Sequence, residues 1–458
     1  MVTKLPKPQL VATDLKIPAP APPAPVDGFD KTLARHGDRA LAYHNAGWYG
    51  RFLYEIDAGG GDARIVCQSG LTTFAAFLDS DHIAVAAGDE TWVLRRGPVG
   101  YELASGVEKT SGPIAPLTND MIAIGFPDEE LRLLAFRDGY LRLFKGKVKP
   151  PKGAPDGDRD MTVHDGRVFA ASSSDALELV DWNMAADWSP SADWDKAVKK
   201  LIKTSGVPVS VVAPPPAPPA ADGVSVQADG SRWRFVGEKT VAVEVGGSWQ
   251  ELSLPEAISG AHYVEVPARE RRYLVERRVH GAVDALRGVA WLTTAGEKLL
   301  RADLATGACE IAAAVPASKH TIGVFPQPDG RVVVVAEDVT SVIRPDDPDP
   351  RLDNRGGRYA AAVSLGGPLI AVATVHPGWN KDGLPGGRVE LLEIGPFPRS
   401  WLGWQLPLYA PTLVFDGRTL IAHQGDRALA FDLEAALAWF PQFAGRSDVP
   451  ALPPMNAK

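Results

Sequence analysis

Asp165–Asp181 reads DGRVFAASSSDALELVD, and Asp416–Asp432 reads DGRTLIAHQGDRALAFD. Both stretches open on Asp-Gly-Arg, with Ala at the seventh position, Asp at the eleventh and Asp at the seventeenth. Asp-Gly makes a tight turn, because glycine accepts positive φ and aspartate caps its own backbone. The apolar run that follows is a strand, and the second Asp falls in the next turn. The pattern is therefore turn, strand, turn, strand, turn, and its recurrence marks a repeated supersecondary unit.

Sliding this template along the chain finds further copies at Leu78–Leu94, Leu117–Phe136, Leu286–Leu304 and Pro328–Ile343. Leu365–Ile394 is a longer copy with a loop inserted between its strands. Ala228–Val245 is another, in which Trp233 and Arg234 interrupt the small apolar pattern. Spacings of roughly 40 to 60 residues fit four short strands per unit. A small twisted sheet cannot bury both its faces alone, whereas radial packing of several sheets can. The layout resembles the WD40-like and quinoprotein-like bacterial β-propellers over about Ala40 to Phe440. The likeness is one of geometry: Trp194-Asp195 lies in a helical stretch, not at a WD40 strand end, and no family's functional residues transfer. The expected fold is all-β, a single propeller of seven blades, or eight, with a helical and Pro-rich insertion at 182–223. Residues 1–28 and 441–458 are expected to be tails. The segment 41–66 is expected to join the C-terminal strands in the closing blade, so that the two chain ends remove the exposed sheet edges.

Composition agrees. The 458 residues include 45 Gly and 40 Pro, and 45% are hydrophobic. Gly and Pro without a collagen period read as turns between many short strands. A net charge of −8 argues against nonspecific binding of nucleic acid or anionic membrane by the whole surface. Two cysteines, Cys67 and Cys309, define no disulfide framework and read as small buried hydrophobes. The first twenty residues show no signal-peptide pattern, and no apolar run reaches the ~18 residues of a membrane span. The expectation is a cytoplasmic protein, and the Ala, Asp, Arg and Pro usage suits a GC-rich bacterium.

The Pro-rich stretch Pro18–Gly28 reads as a stiff polyproline II spacer, with a docking peptide for a Pro-binding groove as the alternative, and Ala213–Gly223 reads either as a link between two halves of the ring or as an exposed loop after an inserted helix. Between the repeats lies one clear helix. Ser189 is placed to cap it, and Pro190 occupies the first helical position. Asp193 and Asp195 come early and Lys199, Lys200 and Lys203 late, as the helix dipole favours. Trp194, Val198, Leu201 and Ile202 form an apolar stripe at helical spacing. The stripe either docks the insertion on a blade or anchors a partner; docking is the expectation. Asp432 is placed to cap a second, short helix through Ala436 to Phe440.

The chain carries no phosphate-binding glycine loop, dinucleotide fingerprint, nucleophile elbow or His-pair metal motif, so no cofactor is expected. The acidic run Arg344–Arg358 lacks the glycine and terminal glutamate of a calcium loop and reads as a solvated loop. Two segments place His just before Gly-Trp: His44 with Trp48, and His376 with Trp379, the latter continuing through Asn380, Lys381 and Asp382. Such side chains on a rigid β scaffold make a candidate binding loop. Arg271 and Arg272 lie in a cationic strip, RERRYLVERR, that could meet an acidic partner. The expected role is a non-enzymatic interaction scaffold or adaptor with protein partners. The alternatives are an enzyme of hydrolase or lyase type at the central channel, and a subunit of a bacterial ATPase-containing multi-protein system.

Overall fold

The computed structural model describes residues 9–11 and, from 23 to 442, the strands and helices given below with their shorter connections. Both chain ends, 12–22 and the connections 46–50, 58–62, 144–159, 181–189, 217–223, 257–262, 316–320, 346–352 and 377–385 lie outside the described residues, as do several breaks of four residues or fewer.

Among the described residues, antiparallel strands form nine four-stranded sheets and one two-stranded hairpin. In chain order the first three sheets span 31–69, 73–108 and 114–143. The fourth combines 160–180 with the N-terminal strand Gln9–Val11. The fifth spans 224–253, and the hairpin pairs Tyr263–Val266 with Arg271–Leu274. The sixth, seventh and eighth sheets span 281–314, 321–356 and 359–406. The ninth combines 412–432 with Val209–Val212.

Every template copy found in the sequence covers the second and third strands of a sheet. In the ninth sheet Asp416 and Gly417 make the first turn. The Asp416 carboxylate accepts the N–H groups of Thr419 at 2.6 Å and Arg418 at 2.9 Å, and Gly417 takes φ of 96°. Those N–H groups, Thr419 first, hold the Asp416 carboxyl below its ordinary value. Asp165 and Gly166 lie outside the described residues; the flanking His164 and Arg167 pair with each other, whereas in the ninth sheet Phe415 pairs with Leu420.

The second strands explain why the repeat is visible. Val332–Ala336 is buried at every position. Val332 and Val334 pack against the sixth sheet, whereas Val333 and Val335 pack against the eighth. Side chains alternate across a strand, so a sheet clad on both faces needs an unbroken apolar run. The same division holds for Ile83 and Val85 against Ala84 and Ala86 in the second sheet, and for Ala290 and Leu292 against Val289 and Trp291 in the sixth. The first strands of successive sheets lie side by side, from Lys31–His36 to Thr73–Phe77 to Ile114–Thr118 to Asp160–His164. The succession resumes from Gly281–Asp284 through Thr321–Pro326 and Tyr359–Gly366 to Thr412–Phe415. Four-stranded meanders stacked face to face, with their first strands adjacent, are the β-propeller arrangement.

Three expectations change. The segment 41–66 does not join the C-terminal strands; it lies in its own sheet with Lys31–His36. The ninth sheet takes its fourth strand from Val209–Val212 instead, with Val209 opposite Phe431 and Val212 opposite Ala428. Gln9–Val11, inside the segment expected to be a tail, pairs with Ala176–Glu178 as the outer strand of the fourth sheet. Asp353, expected in a solvated loop, begins the strand Asp353–Gly356 of the seventh sheet.

Deleting residues 1–12 removes a strand from the fourth sheet and leaves the edge of Ala176–Val180 open. The thermal midpoint is expected to fall by about 2–4 °C for each kcal/mol lost. Scanning calorimetry checks this; an unchanged midpoint would mean that the strand contributes nothing.

Candidate interaction surface

Helix α1 (Pro190–Thr204) joins the two halves of the sheet succession. Trp194, Val198 and Leu201 are buried, and they pack into the largest apolar cluster described, which spans the eighth and ninth sheets. Spaced at i, i+4 and i+7, they form one face of the helix. The Arg427 guanidinium lies 5.2 Å from the centre of the Trp194 ring, a cation–π arrangement that seals the outer edge of the contact. Beyond the helix, Ser205 donates its N–H to the Leu201 carbonyl at 2.8 Å. The indole N–H of Trp404 donates to the Ser205 carbonyl at 2.7 Å, tying the helix end to the eighth sheet. Gly206, at φ of 72°, turns the chain, Val207 is buried, and Val209–Val212 then runs along Arg427–Asp432. Helix α2 (Glu434–Trp439) covers the same cluster from the chain's other end through Ala436, and Phe440 follows it. The N–H of Glu434 donates to the Asp432 carboxylate at 3.1 Å, so the expected capping side chain is used, although Leu433 occupies the N-cap position.

Docking is thus observed for three of the four stripe residues. Ile202 is the exception at 47% exposed. At about 100° per residue it stands some 80° around the helix from Trp194, on the flank of the buried face.

The opposite face is cationic. Lys196, Lys199, Lys200 and Lys203 are all exposed, and by the same angular step they lie about 140° to 240° from Trp194. None of the four makes an ion pair among the described residues. Asp195 stands one turn before Lys199 but is not within ion-pair distance of it.

The residues singled out in the sequence fall in separate places. His44 is next to last in the strand Arg39–Asn45 of the first sheet, and its Nδ1 lies 3.5 Å from the Asp30 carboxylate. The same carboxylate oxygen accepts the N–H of Asn45 at 2.6 Å. His44 therefore helps to hold segment 26–30, whose Val26 and Phe29 pack on the first sheet. His376 ends the strand Leu369–His376 of the eighth sheet. Trp48, Trp379, Asn380, Lys381 and Asp382 lie outside the described residues. Arg271 and Arg272 open the second strand of the hairpin, opposite Val266 and Glu265, and that strand lies near Ala63–Ser69 of the first sheet. The two His-Gly-Trp segments thus belong to different sheets.

One buried polar cluster escaped the sequence reading. Glu55, 2% exposed, sits between the first two sheets. It pairs with Arg39 at 3.2 Å and Arg96 at 3.4 Å and accepts the Tyr101 hydroxyl. Burial, then the bond to Glu55, pushes the Tyr101 hydroxyl far above its ordinary pKa. Arg39 also donates to the Ser80 carbonyl at 2.6 Å, so it links the sheets directly. Four residues from two sheets leave no local pattern to find. Burial pushes the Cys67 thiol up to about 12 and the Cys309 thiol to about 11, in keeping with two free, unreactive cysteines. Among the described residues, no cluster of three His, Cys, Asp or Glu could hold a metal ion, and no helix is long and apolar enough to cross a membrane.

No family model matches the chain, and no curated protein matches it. Among solved structures, it is similar to virginiamycin B lyase from Staphylococcus aureus at 13% identity, over 68% of this chain and 91% of that one, with a TM-score of 0.30. It is similar to the WD40 β-propeller domain of Doa1 at 9% identity, over 79% and 92% of the two chains, with a TM-score of 0.30. Saccharomyces cerevisiae Sqt1 overlays at 9% identity, over 89% and 97%, again with a TM-score of 0.30. The propeller assignment rests on strand pairing and face-to-face packing and not on these overlays.

Replacing Trp194 by Ala is expected to cost roughly 3 kcal/mol or more, since it opens a cavity between the helix and two sheets. Ile202→Ala, on the exposed flank, is expected to stay within about 0.5 kcal/mol. Urea denaturation of the two variants checks both values. Equal, small effects would mean that α1 is not docked.

Proposed function

We propose that this chain is a non-enzymatic β-propeller scaffold, an adaptor that holds protein partners. The observation that carries the reading is the way α1 is mounted. Its apolar face is buried against two sheets, its end is bonded to Trp404, and the chain continues directly into a strand of the ninth sheet. A helix held so firmly presents its outer face as a fixed surface. A pre-ordered surface loses little conformational entropy when a partner binds, which favours recognition. That outer face carries charge of one sign on a protein whose net charge is −8. Charges of one sign on a rigid platform steer and orient a complementary partner.

The loop that follows His376, with Trp379, Asn380, Lys381 and Asp382, is proposed as a second contact point. Its supports are that it follows directly on the strand Leu369–His376 in sequence and that it contains Trp and polar side chains. His44 with Trp48, and Arg271 with Arg272, are proposed as lesser contacts around the first sheet.

The test is affinity capture of the tagged full chain from its native cells at low and physiological salt, with the co-purifying proteins quantified. The reading expects at least one protein retained in near-stoichiometric amount. Recovery of the chain alone, together with turnover in a panel of hydrolase and lyase substrates, would place the function in catalysis instead.

A further inference from the structure

We infer that the outer face of α1 is a docking site for an acidic polypeptide segment of a partner protein, recognised by Lys196, Lys199, Lys200 and Lys203. The inference rests on the scaffold reading and names the chemistry of the partner.

Like charges three and four residues apart on a helix repel and weaken it slightly. Here four lysines occupy the i, i+3, i+4 and i+7 positions of one face, and among the described side chains the neighbouring carboxylate of Asp195 makes no ion pair with them. Some exposed or half-exposed arginines elsewhere in the molecule are paired with acids. Arg418 meets Asp432 at 2.8 Å and Glu434 at 3.1 Å, and Arg232 meets Glu244 at 2.7 Å. The lysine row gathers four cations without an ion pair on one helix face of a protein whose net charge is −8. It does not hold the helix in place, because Trp194, Val198 and Leu201 do that from the opposite side.

The geometry sets the size of the occupant. Seven residues separate Lys196 from Lys203, and a rise of about 1.5 Å per residue makes the row about 10 Å long. That length matches two turns of an acidic helix, or about three residues of extended chain at 3.3 Å each. Ile202, half exposed on the flank of the row, offers an apolar contact beside the charges. Val211, 56% exposed on the strand packed against α1, offers another. An acidic segment carrying one or two apolar side chains fits both features. Duplex DNA and anionic membrane are the other polyanions that a lysine row attracts. The chain's net acidity repels both at longer range, whereas a short acidic segment feels chiefly the local field within a Debye length of about 8 Å.

The test uses the full chain and fluorescein-labelled oligoglutamate as the probe, read by fluorescence anisotropy at low and physiological salt. Duplex DNA and phosphatidylserine vesicles serve as separate probes. The unmodified chain is expected to bind the peptide in a salt-sensitive manner. Combined K196E, K199E, K200E and K203E substitutions are expected to weaken that binding by about tenfold or more, since each exposed pair contributes modestly and four act together. The matching Lys→Gln variant should show a smaller loss, and it decides the question if charge reversal prevents folding. Peptide binding that is absent, or unaffected in both variants, overturns the inference. So does preferential binding of DNA or vesicles through the same lysines. The two proposals separate in the capture experiment. A partner still held by the charge-altered chain would defeat the acidic-segment inference and leave the scaffold reading standing. An unmodified chain that captures no partner would defeat the scaffold reading, whatever the peptide does.

Discussion

The second, sixth and seventh sheets bury both faces against neighbouring sheets, and most of what is distinctive in the molecule follows from that constraint. A four-stranded meander of this size has too little apolar surface to stand alone, so each sheet depends on its neighbours. Val332–Ala336 shows the principle at its plainest, with alternate valines committed to the sheets on either side. The Glu55 cluster obeys the same rule in polar form. Its carboxylate, buried between two sheets, is matched by Arg39, Arg96 and Tyr101. Removing one member would leave buried charge without its partners, which in comparable sites costs about 3–5 kcal/mol.

The same constraint accounts for the insertion. Arg427–Asp432 is the last of the described strands and would leave the ninth sheet with an open edge. Val209–Val212 closes it from more than 200 residues earlier in the chain, with Val209 opposite Phe431. Helix α1 arrives with that strand and covers the apolar outer surface that the eighth and ninth sheets share. Structure and proposed function meet at this point. The side of α1 that completes the core is apolar and fixed, and the side turned to solvent is free to carry a pattern of charge that packing does not dictate.

Much of the architecture was legible in the sequence, for a physical reason. Second and third strands buried on both faces read as unbroken apolar runs, and the turns between them read as Asp-Gly or its relatives; Asp416-Gly417 is the clearest case. The docked helix was legible too, from Pro190 and the spacing of Trp194, Val198 and Leu201. Ile202 was misassigned because a stripe drawn from apolar residue type alone does not say where the buried arc ends. Strand completion was not legible. Gln9–Val11 and Val209–Val212 are three and four residues long and sit beside Pro-rich stretches, so nothing local distinguishes them from spacer. Their partners are fixed by tertiary position. The Glu55 cluster was hidden for the same reason. Of the candidate site, the helix and its late lysines were visible beforehand, but their isolation from acidic neighbours became visible only once the helix was placed.

The central claim is that residues 190–212 are a built-in part of the ninth sheet, which is what turns the outer face of α1 into a fixed surface. Native-state hydrogen exchange followed by mass spectrometry tests it most directly, because amides in a docked helix and a paired strand open only with the structure around them. The account predicts that peptides covering 194–204 and 209–212 exchange as slowly as those covering 427–432. Exchange of 190–212 at the rate of an unstructured linker, with 427–432 still protected, would contradict it.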